Sequence, residues 1–189
     1  METALVTFLA SLARFIDAVN DAVGRFTAWA ALAMVIVQFA VVVLRYVFGV
    51  GSIMLQESVV YLHAFLFMAG SGYTLMHGGH VRVDIFYHQA TARKKALIDL
   101  TGVVVFLVPV CLLIWWVSWP YAVSSWLVFE GSRETSGIQA VFLLKTVILL
   151  FSALMLMQGV SLAARSLIVL AGAEEPPSGA SAPQPRKRP

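Results

Sequence analysis

FTAWAALAMVIVQFAVVVL, residues 26–44, runs without a charge. Backbone amides and carbonyls in hydrocarbon must be satisfied within their own segment, and about 20 helical residues at 1.5 Å each cross a core of about 30 Å. Residues 26–44 therefore read as a membrane-spanning helix. Three further stretches pass the same test. Residues 58–76 hold His63 as their one titratable group of consequence, residues 100–129 are uncharged for longer than a straight crossing needs, and residues 146–164 follow Lys145. The composition agrees, because 60% of the 189 residues are hydrophobic and 12% are charged, where soluble domains carry about 25% charged residues. The expected fold is an all-α integral membrane protein, with transmembrane helices near 26–45, 57–77, 92–127 and 139–166 in one domain covering 26–170.

Lysine and arginine fall unevenly about these spans. Arg14, Arg25, Arg82, Arg93, Lys94, Lys95 and Arg165 lie on one side, and Arg45, Arg133 and Lys145 on the other. Cytoplasmic loops carry the excess, which predicts both termini in the cytoplasm.

Ahead of the first span, Leu5, Phe8, Leu9, Leu12, Phe15, Ile16, Val19 and Val23 recur at three and four residues, interleaved with Arg14, Asp17, Asn20, Asp21 and Arg25. That spacing predicts an amphipathic helix over 1–25, lying in the lipid interface before the chain turns into the bilayer, or packed on a partner protein. Beyond the last span, AEEPPSGASAPQPRKRP has little to bury, so residues 171–189 are expected to form a disordered, Pro-rich basic tail.

The motif that most invites a chemical reading is MHGGHVRVD, residues 76–84. A metal site would need His77, His80, Asp84 and His88 to converge. The alternative is a polar turn at the headgroup level, where the glycines let the backbone reverse, with Asp84 capping a helix at Ile85 and Thr91 capping the next. His63 is an intramembrane ionisable residue and so a candidate by default, with Phe67, Gly70 and Thr74 on its helical face for contact with a neighbouring helix. Arg45 closes span one and Glu57 opens span two, each at the helix end whose dipole favours it, and the two are placed to pair across RYVFGVGSIMLQE. Pro109 should kink span three. Trp115, Trp116, Trp119, Tyr121 and Trp126 mark its outer end. Glu130, Arg133 and Glu134 form a polar outward loop, either solvated or a docking surface.

Cys111 is the one cysteine, which excludes disulfide frameworks and paired-thiol redox chemistry. A haem subunit needs facing histidines from different spans, and a proton-coupled exporter needs a carboxylate inside the membrane. Spans one, two and four offer none. The expectation is a non-enzymatic protein with no cofactor and no nucleic-acid partner, acting by packing against other proteins and membrane lipids.

RYVFGVGSIMLQE, GYTLMHGGHVRVDIFYH and LLKTVILLFSALMLMQGVSLAAR together resemble the small permease subunit (DctQ-type) of tripartite ATP-independent periplasmic (TRAP) transporters over roughly residues 15–170. The resemblance implies an inner-membrane scaffold for a large permease subunit that carries the substrate and sodium sites, with a periplasmic substrate-binding protein delivering an organic acid or related solute. It also implies structural or interfacial roles for Arg45, Glu57, His80, Arg82 and Asp84. The competing readings are an autonomous small exporter or channel formed by oligomerisation, and a metal-dependent enzyme using His77, His80 and His88.

Overall fold

The computed structural model describes residues 2–80, 87 and 90–173. Arg82, Asp84, His88 and the tail from 174 onward lie outside the described residues, as do the expectations attached to them. Among the described residues every regular element is helical: α1 (Glu2–Tyr46), α2 (Ile53–Ala69), α3 (Ser71–Met76), α4 (Ala92–Gly102), a π-helical turn (Val103–Leu107), α5 (Val108–Leu127) and α6 (Val141–Leu170). Four helical stretches are long and apolar enough to cross a membrane: Ala4–Tyr46, Ile53–Met76, Ala92–Leu127 and Val141–Leu170.

The helix ends follow from local chemistry. Ser52 is the N-cap of α2 and accepts from the Leu55 amide at 3.4 Å, so this helix begins at Ile53, ahead of the position expected from Glu57. The glycines of MHGGHVRVD close α3, at the far end of the second span. Gly78 takes φ +64°, its amide returns to the Leu75 carbonyl, and the Gly79 amide returns to that of Thr74. This is a Schellman ending with glycine in the left-handed position. The same motif ends α5, where the Phe129 amide bonds to Trp126 and the Glu130 amide to Ser125, but here Phe129 itself holds φ 45°. Edge-on contacts with Phe142 at 5.7 Å and Trp126 at 6.4 Å hold it there.

Pro109 follows a π-helical turn in the third span. Its missing donor and its ring are absorbed by the π turn just before it, where the Val108 amide reaches back five residues to Val103. Thr91 stands at the N-cap of α4, but its hydroxyl makes no capping bond.

The first helix departs most from expectation. No turn separates residues 2–25 from the first span, and α1 is one helix of 45 residues, about 67 Å long at 1.5 Å per residue. Part of its polar face, Asp17 and Asn20, is turned into the protein. Ala13, Ile16, Asp17, Asn20, Gly24 and Thr27, at helical spacing, are buried, whereas Phe8 is 62% and Phe15 65% exposed. Burying Asp17 and Asn20 while showing Phe8 and Phe15 suits an apolar surrounding, and Arg14 and Arg25 stay exposed.

α6 is the hub, packing against every other element, with α1, α2 and α3 on one side and the third span on the other. Close approach is made by small residues. A Cβ on Gly24 would lie 2.2 Å from the Tyr73 ring, one on Gly72 would lie 2.3 Å from Asn20 Oδ1, and one on Gly159 would lie 2.7 Å from Leu107.

Candidate functional site

Two clusters of polar side chains bonded between helices lie at opposite ends of the bundle. At one end, Asp17 of α1 meets Gln158, Ser161 and Arg165 of α6, which share a face because they are three and four residues apart. Ser161 Oγ donates to Asp17 Oδ1 at 2.7 Å and Gln158 Nε2 donates to the same oxygen at 3.1 Å. The Arg165 guanidinium takes Oδ2 in an ion pair, and Asn20 Nδ2 donates to Gln158 Oε1 at 2.8 Å. Asp17 is 3% and Arg165 5% exposed. Two opposite charges out of water persist only if their remaining hydrogen-bonding capacity is met, and here the Asp17 carboxylate has three donors. It is a clasp joining the first helix to the last, with its carboxylate committed to structure.

Sequence reading missed this cluster. Asp17 and Asn20 were assigned to the wet face of an interfacial helix, and Arg165 was counted only as a cytoplasmic charge. The available signal was Gln158, Ser161 and Arg165 at spacings of three and four inside an apolar helix. Beside the clasp, Tyr87 Oη donates to Asp99 Oδ2 at 2.7 Å, and the Lys95 ammonium lies 5.2 Å from the Tyr87 ring centre.

At the other end, Glu57 does not pair with Arg45, which is exposed where α1 ends. Its carboxylate accepts from Ser132 Oγ at 2.5 Å and from the Ile138 amide at 2.6 Å, so Glu57 ties the first hairpin to the loop between the third and fourth spans. The reason is reach and competition. The Ser132 hydroxyl and a free loop amide surround the carboxylate, while Arg45 sits at the solvent edge. Gly137 is required beside it, since a Cβ there would lie 2.6 Å from Glu57 Oε2.

In the same loop Glu130 bonds to Lys145, whose ammonium also lies 3.9 Å from the centre of the Tyr121 ring. The hydrogen bond from Lys145, helped by its charge and that of Arg133, holds the Glu130 carboxyl below the usual carboxylate range. Trp126 Nε1 donates to Thr146 Oγ1 at 2.8 Å. Arg133 and Glu134 are exposed on the loop surface.

The histidines are placed separately. His63 is exposed on α2 and stacks on Phe67 of its own helix, 6.4 Å between centroids; it does not bond to a neighbouring helix as expected. His77 directs Nδ1 to the Tyr73 carbonyl at 3.0 Å, and His80 directs Nε2 to that of Ser71 at 3.4 Å. A carbonyl only accepts, so each of these nitrogens carries its proton and is engaged with the end of the second span. Among the described residues no three His, Cys, Asp or Glu side chains converge on a common point.

The family model described as "Tripartite ATP-independent periplasmic transporters, DctQ component" matches residues 34–169. No curated protein and no solved structure matches.

Proposed function

The chain belongs to the DctQ component family of tripartite ATP-independent periplasmic transporters, a non-enzymatic transport subunit, and from that premise we propose that it braces the large permease subunit of such a transporter. The transporter takes up an organic acid or related small solute, coupled to sodium, after delivery by a periplasmic binding protein. The chain resides in the inner membrane with both termini cytoplasmic, and sodium and substrate are handled by the large subunit.

One observation supports a bracing role above the rest. The strongest polar groups at both ends of the bundle are spent on holding helices together: Asp17 on Arg165, Ser161 and Gln158, and Glu57 on Ser132 and the Ile138 amide. A subunit that moves solute needs polar groups that exchange partners with it. Groups locked to one another serve rigidity.

Co-expression with a large permease subunit of a TRAP transporter tests the reading. The two should co-purify, and solute uptake in cells should be lost when this chain is deleted and restored when it is supplied. Full uptake without the chain removes the proposal, and solute movement in liposomes holding the chain alone replaces it with the exporter or channel reading.

A further inference from the structure

Polar side chains inside a membrane bundle usually face its interior or satisfy themselves on their own helix. Serine and threonine do the latter here: Ser58 donates to the Met54 carbonyl and Thr146 to that of Phe142. Gln38 does neither. It is exposed on the outside of α1 and its amide makes no hydrogen bond among the described residues. It lines an apolar groove of about 420 Å³ between α1 and α2, together with Met34, Val35, Phe39, Val42 and Val59. One helical turn beyond Val59, on the same side of α2, stands His63, also exposed, with its ring stacked on Phe67.

Depth makes the pair significant. At 1.5 Å per residue Gln38 lies about 10 Å inward of Arg45, and His63 about 9 Å inward of Glu57. The two lie at similar levels on antiparallel neighbours, inside stretches apolar enough to cross a membrane, and both face away from their own bundle. An amide in hydrocarbon with no partner is heavily disfavoured. On the opposite flank Val110, Leu113 and Val117 of α5 are exposed and apolar, a surface that lipid chains satisfy, and Trp116 belongs to the tryptophan cluster at the outer end, where an indole N–H reaches the interface.

We propose that the α1–α2 groove is the seat of a transmembrane helix of the large permease subunit, which supplies hydrogen-bonding groups to Gln38 and His63, while the α5 flank faces lipid. Lipid tails carry no donor or acceptor, so the occupant is a protein helix offering a hydroxyl, an amide or an unpaired carbonyl at that depth. This rests on the membership of a TRAP transporter and identifies which face of the small subunit meets the large one.

Photo-cross-linking in membranes that contain both subunits tests it, with benzoylphenylalanine placed singly at positions 38, 63, 113 and 116. The expected result is an adduct with the large subunit from 38 and 63 and none from 113 or 116. Adducts from 113 or 116 with 38 and 63 silent, adducts from all four, or a complex that co-purifies with every position silent each overturn the assigned face and leave the family role standing. An adduct of two copies of this chain from 38 and 63 overturns it in favour of self-association. Failure of the subunits to co-purify at all removes the bracing role and this inference with it. As a second readout, Gln38→Leu with His63→Leu should lower the co-purified large subunit about tenfold and leave the melting temperature of the isolated chain unchanged, because neither side chain packs inside the bundle. An undiminished yield refutes the role of the pair.

Discussion

Asp17 has both carboxylate oxygens engaged and almost no access to solvent, so removing one partner differs sharply from removing both. Asp17→Leu leaves the Arg165 guanidinium buried without its counter-charge, which costs about 3–5 kcal/mol. Asp17→Leu with Arg165→Leu places apolar groups in an apolar setting and should recover most of that loss. Thermal unfolding in detergent of the two single variants and the double one checks this, and a double variant as unstable as the singles refutes it. Glu57 allows a parallel test. A double-mutant cycle of Glu57→Ala with Ser132→Ala should show coupling of about 1.5–3 kcal/mol, as for a hydrogen bond to a charged acceptor. The cycle with Arg45→Ala should be additive, so coupling to Arg45 of similar size restores the pairing that the sequence suggests. These partnerships were hidden in the sequence for a definite reason. Spacing along a helix states which residues share a face, but the identity of the facing helix depends on tertiary packing, and Glu57 and Ile138 are separated by 81 residues.

Helices meet in this bundle where side chains are absent, so two glycines of similar local geometry should respond oppositely to the same substitution. Gly24→Ala drives a Cβ to 2.2 Å from the Tyr73 ring and should destabilise by about 1–3 kcal/mol through overpacking. Gly102→Ala finds nothing within 4 Å and should be neutral or stabilising by up to about 1 kcal/mol from helix propensity. Melting temperatures in detergent decide between them, and equal shifts would mean that helix propensity, not helix approach, controls both sites. The existence of the four spans was legible in the sequence because hydrocarbon thickness and backbone satisfaction leave few alternatives to a long apolar helix. Their ends were legible where a cap signal existed, as at Gly78. The continuity of α1 was not. The uncharged run begins only at Phe26, yet Arg25 and Asp21 form an (i, i+4) ion pair at 2.6 Å along the helix surface, an arrangement that supports a helix through those residues. At Pro109 a disruption was predictable, but not the π turn that takes up the missing donor.

Across the whole molecule the clasp and the Glu57 tie set which ends lie together. Asp17 near the start of α1 meets Arg165 near the end of α6, so both described chain ends leave the bundle on one side, while Glu57, Ser132 and Ile138 mark the other. Packing alone does not say which side faces the cytoplasm. The charge count predicts it, because Arg14, Arg25, Arg93, Lys94, Lys95 and Arg165 share the side of the chain ends, and Arg45, Arg133 and Lys145 share the other. The two arguments are independent, and together they predict a labelling pattern. In a Cys111→Ala background, a membrane-impermeant maleimide applied to intact spheroplasts should label Arg133→Cys and spare Ala4→Cys and Ala173→Cys, which should react only after permeabilisation. Labelling of Ala4→Cys and Ala173→Cys alone would keep the bundle and invert it, so the charge rule would have failed. Labelling of just one of the two would place the chain ends on opposite faces. That result is incompatible with Asp17 meeting Arg165, and it would break the clasp on which the bracing role depends.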